Sequence, residues 1–241
     1  MTQPFELNSD LDRDELKARF RSRQRLEIGN FLRGGGAEAL RAHLLSRDDW
    51  RLVLNAGDKV YELTRAAVAA LSEEQRLELE TRVNAAARKG FQYRYETVRV
   101  SDSDAERSER GTLLERFVQF MSSSPVLDLV GDILGDDDLA FADGQATSYG
   151  PGHFLTRHDD DVEGKHRRAA YVFGLQPGWL ADWGGLLMFH AADGNIEEAF
   201  TPAMGALRVF RVPAPHSVSS VASFAPEARL SVTGWFRSQR P

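Results

Sequence analysis

Three side chains in this sequence can hold a metal ion without any thiol. They are His158 and Asp160, two residues apart in TRHDDDVEG, and His216 in VPAPHSV. Residues two apart in a strand face the same side, and folding into a barrel would bring His216, at the start of a later strand, alongside them. Two imidazoles and one carboxylate on one face form the facial triad of non-haem iron(II) centres, with three coordination positions left open. The single carboxylate lowers the net charge enough for an anionic co-substrate and dioxygen to bind as well. Taken alone, H-x-D is a common spacing, and it fits equally a surface histidine in a solvated acidic turn.

The segment RLSVTGWF shifts that balance. Strand alternation puts Arg229, Ser231, Thr233 and Trp235 on one face and Leu230, Val232 and Phe236 on the other. An arginine pointing into a barrel costs roughly several kcal/mol unless an anion pairs with it. Arg229 and Ser231 together would grip a terminal carboxylate, the guanidinium as a two-pronged donor and the hydroxyl as a third bond.

The elements that must position these groups change character along the chain. Residues 1–13 are polar. Spaced apolar residues over 14–33 are partly helical until GGG at 34–36, and AEALRAHLLS at 37–46 reads as an amphipathic helix with Leu40 and Leu44 one turn apart. Trp50 follows at a turn. Ser72 to Lys89 opens on Glu-rich SEEQ and closes on Arg and Lys, matching a capped helix and its dipole. FQYRYETVRV alternates like a half-buried strand, and SDSDAERSERG at 101–111 is too polar to pack, so it is expected to be a mobile loop able to serve as a substrate lid. Two short helices at about 112–122 and 125–134 precede the acidic turn GDDD. From residue 139 onward the chain breaks into LAFADGQATSY, RRAAYVFGL, GGLLMFH, GALRVFRV, SVSSV and RLSVTGWF, all strand-like. The expected fold is a mainly β barrel or jelly roll (139–241) braced by a helical flank (1–138) with one strand, as one integrated domain.

Composition narrows the function. At 241 residues with 42% hydrophobic and 27% charged side chains, the chain can bury a substantial core and resembles neither a disordered nor a membrane protein. A net charge of -6 argues against coating a nucleic-acid backbone. With no cysteine, zinc-thiolate sites, iron–sulfur clusters and thiol nucleophiles are excluded. The N-terminus lacks a basic start followed by an apolar run, and no apolar stretch of ~18 residues occurs, so a cytoplasmic location without membrane contact is expected.

The ordered blocks YGPGHFLTRHDDD, GLQPGW, GGLLMF, TPAMGALRVF, HSV and RLSVTGWF resemble the 2-oxoglutarate- and iron(II)-dependent oxygenases of the prolyl hydroxylase type, over residues 139–239, and the helical half resembles the flank of the Tpa1/Ofd1-like branch. The resemblance implies a double-stranded β-helix, with His158, Asp160 and His216 as iron ligands and Arg229 as the partner of the distal carboxylate of 2-oxoglutarate. It places Tyr149 at the co-substrate or substrate pocket and Arg167 on the substrate side; Trp235, sharing the strand face of Arg229 and Ser231, would border the bound ligand. It also implies iron(II), 2-oxoglutarate and dioxygen, with ascorbate as an accessory reductant, and hydroxylation of an unactivated C–H bond with succinate and carbon dioxide released. The acceptor it points to is a prolyl residue of a protein or peptide. The chain departs from relatives that hold 2-oxoglutarate with a central-strand tyrosine, having Phe173 and Gly174 there. Two other functions stay open: hydroxylation of a free amino acid or other small molecule, and a metal-binding or sensing barrel without turnover. Other candidates have plainer readings: His153 as a loop residue, His43, His166 and His190 as unpartnered side chains, Trp179 and Trp183 as packing. Gly184 and Gly185 suit a tight turn or close backbone approach.

Overall fold

A computed structural model of the chain describes residues 4–57 and 59–240. The first three residues of the polar N-terminal run and the last residue of the barrel segment lie outside the described residues. The helices are α1 (Arg13–Arg23), α2 (Gly36–Leu45), α3 (Arg65–Ala69), α4 (Glu73–Ala87), α5 (Asp104–Arg110), α6 (Leu113–Met121) and α7 (Ser124–Leu134). Strands β1 (Arg25–Ile28), β2 (Arg51–Ala56), β3 (Lys59–Thr64) and β4 (Tyr93–Arg99) come from the first half of the chain. The second half supplies β5 (Phe141–Ala142), β6 (Gln145–Tyr149), β7 (Phe154–His158), β8 (Arg167–Gly174), β9 (Leu187–His190), β10 (Ile196–Phe200), β11 (Leu207–Arg211), β12 (His216–Val218) and β13 (Arg229–Arg237).

Local chemistry explains the helices. In α4 the Ser72 hydroxyl accepts the Gln75 N–H while the Gln75 side chain accepts the Ser72 N–H, a reciprocal cap that satisfies two free donors. In α6, Leu114, Phe117, Val118 and Met121 recur at helical spacing and are fully buried. They pack against the strands, with Phe117 and Phe173 of β8 at a ring separation of 4.9 Å. Among the described residues no helix is long and apolar enough to cross a membrane.

The strands form one curled antiparallel sheet, ordered β1-β11-β8-β13-β6-β4-β7-β12-β9-β10, with β2 and β3 beyond β4 and β5 beside β13. Strand β4 makes the curl. It pairs with β6 from Glu96 to Arg99 and with β7 at Tyr93 and Arg94, so one strand joins the two walls of the barrel. Alternation then sorts the side chains. On β8 and β13, Ala169, Tyr171, Phe173, Leu230, Val232 and Phe236 face the helices, whereas Ala170, Val172, Arg229 and Trp235 face inward.

Two expectations need correction. The first half is not a helical flank with one strand: β1 extends the sheet beside β11, and β2 and β3 form a hairpin on β4. RLVLNAGDKVYELT carries the hairpin signal, two runs rich in strand-forming residues separated by Gly-Asp, with Gly57 in the left-handed region. Nor is 101–111 a mobile loop. Residues Asp104–Arg110 form α5, capped by Ser103, and the fully buried Arg107 donates to the Ser101 and Ala142 carbonyls and lies over the Phe141 ring. One anchored arginine, satisfied by main-chain oxygens, fixes a segment whose composition is otherwise that of a loop.

Candidate active site

The sheet brings the three proposed ligands together. His216 on β12 is the register partner of His158 on β7, with ring centroids 4.1 Å apart. Asp160 offers Oδ1 at 3.5 Å from His158 Nε2 and Oδ2 at 3.4 Å from His216 Nε2, and one ligand atom from each of the three lies within 4.8 Å of the others. Each histidine is oriented by its other nitrogen. His158 Nδ1 is 3.0 Å from the Thr156 carbonyl and His216 Nδ1 is 2.8 Å from the Ala214 carbonyl, which puts a proton on each Nδ1 and turns both Nε2 atoms toward Asp160.

The geometry by which Asp160 joins them differs from the expected one. Strand β7 ends at His158, and Asp160 lies beyond it in the left-handed region at φ 65°. A turn, not strand alternation, aims its carboxylate; the Asp161 N–H donates to Asp159 Oδ1 within that turn. Arg167 donates from its guanidinium to the Asp160 carbonyl at 2.9 Å and stacks on Trp235, its central carbon 3.6 Å from the ring centroid. Burial opposes the charge on Asp160, but the bond to His158 and the nearby His216 hold its carboxyl below the usual range. Burial, then the neighbouring His158, pushes the His216 imidazole down to about 4. A carboxylate with a neutral imidazole is the protonation state that binds a divalent ion.

The triad opens onto a cavity of about 550 Å³, and Arg229 lies in its wall. Its guanidinium is buried, makes no ion pair among the described residues, and has its Nε without a hydrogen-bond partner. Burial draws its pKa down to about 10. An unpaired buried cation is expensive, so a site built this way calls for an anion. Tyr149, in register with Arg229, sits 5.1 Å beneath the guanidinium carbon and stacks on Tyr95 at 5.1 Å and 20°. Gly184 and Gly185, at φ 69° and 64°, make the close approach anticipated for them: a Cβ on Gly184 would fall 2.0 Å from the Ser220 carbonyl oxygen, and one on Gly185 would fall 3.1 Å from Arg229 Cδ.

Ser231 is placed differently from its expected carboxylate-gripping role. It is fully buried, its hydroxyl is bonded to Thr147 Oγ1 at 2.8 Å, and Thr147 rather than Ser231 lines the cavity. Trp235 and Arg167 do line it. His153 is bonded by the Gly150 N–H, and His190 meets the Ser217 hydroxyl; neither is part of the metal-ligand cluster. Sequence reasoning missed Thr147, Asp143 and the aromatic wall of Phe91, Tyr93 and Tyr95, all of which line the cavity. Burial raises the Tyr95 hydroxyl to about 12. Their signal was present: in FQYRYE the three rings alternate with polar residues and so share one face.

A curled antiparallel sheet thus sets two histidines and an aspartate, a group able to hold a metal ion, in one cavity with a buried arginine that makes no ion pair among the described residues. Residues 144–237 match the family model described as the 2OG-Fe(II) oxygenase superfamily. Over 89 residues the chain is 36% identical to mouse prolyl 3-hydroxylase OGFOD1; the match covers 34% of this chain and 16% of that protein. The chain thus spans only a small part of that relative's length. Among solved structures, a Pseudomonas putida prolyl-4-hydroxylase aligns with TM-score 0.58 and 21% identity over 94% of this chain and 99% of that one. A Trichoplax adhaerens prolyl hydroxylase, solved with a hypoxia inducible factor oxygen degradation domain peptide fragment, aligns with TM-score 0.61 and 15% identity over 94% and 89%. At these identities the two structures show the fold.

Proposed function

We propose that this chain is a 2-oxoglutarate- and iron(II)-dependent dioxygenase that hydroxylates a prolyl residue of a protein or peptide. The observation that carries the reading is the shared cavity: a three-ligand metal cluster and a buried, unpaired guanidinium line the same space. Two imidazoles and one carboxylate suit iron(II), and an orphaned cation suits the distal carboxylate of 2-oxoglutarate. The bound pair would supply the oxidising chemistry, coupling decarboxylation to succinate and carbon dioxide with insertion of one oxygen atom into a C–H bond.

The chain's own residues bind, orient and exclude water. His158, Asp160 and His216 hold the metal, their Nδ1 bonds and the Arg167 contact keeping them in place before it arrives. Arg229, with Tyr149 beneath it, anchors the co-substrate at a buried wall of the cavity. Phe91, Tyr93 and Trp235 give the open side an apolar wall that keeps water from a reactive site and accepts a pyrrolidine ring. The prolyl acceptor is favoured over a free amino acid by the named relatives, all three of which are prolyl hydroxylases and one of which was solved with a peptide.

The test is succinate release with 2-oxoglutarate, iron(II), ascorbate and dioxygen present, followed by mass spectrometry of candidate proline-containing peptides for a hydroxyl-sized gain, with free proline as competitor. A modified peptide together with succinate is expected. Hydroxylated free proline and unmodified peptide would replace the acceptor, and no succinate under any condition would sink the enzyme reading. His158→Ala is expected to take succinate release below detection while leaving the circular dichroism spectrum intact.

A further inference from the structure

Asp143 lies in the turn between β5 and β6 and lines the cavity without touching the triad. Its side chain is only 13% exposed. Oδ1 accepts the Trp235 N–H at 2.8 Å, and the Asp143 N–H donates to the Trp235 carbonyl at 3.2 Å, so this one residue holds the Trp235 backbone from both sides. Oδ2 lies 3.4 Å from Arg237. Gly234 makes the approach possible: a Cβ there would stand 2.0 Å from the Asp143 carbonyl oxygen.

The contacts continue inward. The Trp235 ring carries the Arg167 guanidinium on its face at 3.6 Å, and that guanidinium donates to the Asp160 carbonyl at 2.9 Å and lies 3.9 Å from Oδ1. Asp160 needs such support. It is a non-glycine residue in the left-handed region, just past the end of its strand, and its own backbone does not favour the conformation that points its carboxylate at both histidines.

We propose that Asp143 is a positioning residue of the metal centre: by fixing Trp235 it fixes the platform on which Arg167 stacks, and Arg167 in turn holds Asp160 in its ligating conformation. The proposal rests on the reading of His158, Asp160 and His216 as metal ligands. It assigns the work to the acceptor oxygen facing Trp235, not to the charge facing Arg237, so Asn at position 143 can substitute and Ala cannot.

Cobalt(II) titration of the metal-free chain, followed by its visible absorption, tests this apart from turnover. Asp143→Ala is expected to weaken cobalt(II) binding by about tenfold or more and to alter the absorption bands, the usual size for losing a group that orients a ligand. Asp143→Asn is expected to restore both, and thermal unfolding identifies variants that have lost the fold. A folded Asp143→Ala that binds as the wild type does, or a folded Asp143→Asn as weak as the alanine variant, overturns the proposal. Asp160→Ala separates the two readings. Loss of binding there with none in Asp143→Ala removes only the positioning role, whereas wild-type binding by Asp160→Ala removes the triad and the proposal with it. If Asp143→Ala does not fold, Arg167→Met, which keeps the stem and loses the donor to Asp160, carries the same expectation and is overturned by unchanged affinity.

Discussion

The two faces of the central strands obey opposite rules. On the side toward the helices, β8 and β13 present Phe173, Leu230, Val232 and Phe236, all buried among Phe117, Phe31 and the stripes of α6 and α7. On the other side the same strands present Arg229 without an anion, Trp235 with its indole N–H unbonded, and the backbone held by Asp143. Burial pushes the Asp143 carboxyl up to about 6 against the pull of the Trp235 N–H. One face minimises its free energy in the isolated chain, and the other reaches its minimum only when something enters the cavity. Adjacent residues in a single strand therefore divide between stability and binding.

Opposite responses to truncation would sharpen this contrast. Phe173→Ala removes a ring packed on Phe117 and Phe31, and the expected loss is about 3–5 kcal/mol of unfolding free energy in a denaturant titration. Arg229→Met should do the reverse. Removing an unpaired buried charge leaves the metal-free chain as stable or raises its stability by ~1–4 kcal/mol. Binding of 2-oxoglutarate, measured calorimetrically on the metal-loaded chain, should weaken by about 2–5 kcal/mol because a buried charge partner is gone. If Arg229→Met unfolds as readily as Phe173→Ala, the division between the faces fails.

The same contrast appears in acid. His153, in the turn between β6 and β7, is lowered from 6.5 to about 4 by burial and then by the charge of Arg94. Its folded pKa lies below its unfolded one, so the unfolded chain binds the extra proton first. The corresponding stability is complete above pH 6.5 and is lost as the pH falls toward 4. A displacement of that size is worth on the order of 3 kcal/mol. Chemical denaturation at a series of pH values should show this acid limb, and His153→Asn, which keeps an acceptor for the Gly150 N–H, should flatten it by about that amount.

What the sequence revealed follows the same line. Helices with strong caps or apolar stripes were legible, as were the alternation of β13 and the types of the ligands, because these depend on neighbours in the chain. The left-handed turn at Asp160 was not, since nothing in HDDD distinguishes a carboxylate aimed by a turn from one aimed by a strand. Arg107 was invisible for a related reason. Its partners, the Ser101 and Ala142 carbonyls, are main-chain atoms brought close only by the tertiary fold, so a segment polar by composition gave no sign of an anchored helix. Ser231 was assigned by parity, which predicts a face but not whether Thr147 stands in front of it.

The smallest expected effect tests how closely the two rules meet. Gly185 belongs to neither face, yet its missing side chain is what lets the Arg229 stem lie where it does, with Val221 on the other side at 3.2 Å from a built Cβ. An alanine there must adopt φ near 64° and press on Arg229 Cδ from 3.1 Å. The backbone cost is roughly 1–2 kcal/mol, visible as a modest fall in melting temperature. Among the described residues the guanidinium makes no ion pair and rests only on the Tyr149 ring, so it can yield to that pressure, and the displacement should appear as a severalfold rise in KM for 2-oxoglutarate with kcat nearly kept. Loss of kcat at unchanged KM would instead mean that the pressure is passed to the metal side of the cavity, and the arginine would then be held more firmly than its unbonded nitrogen indicates.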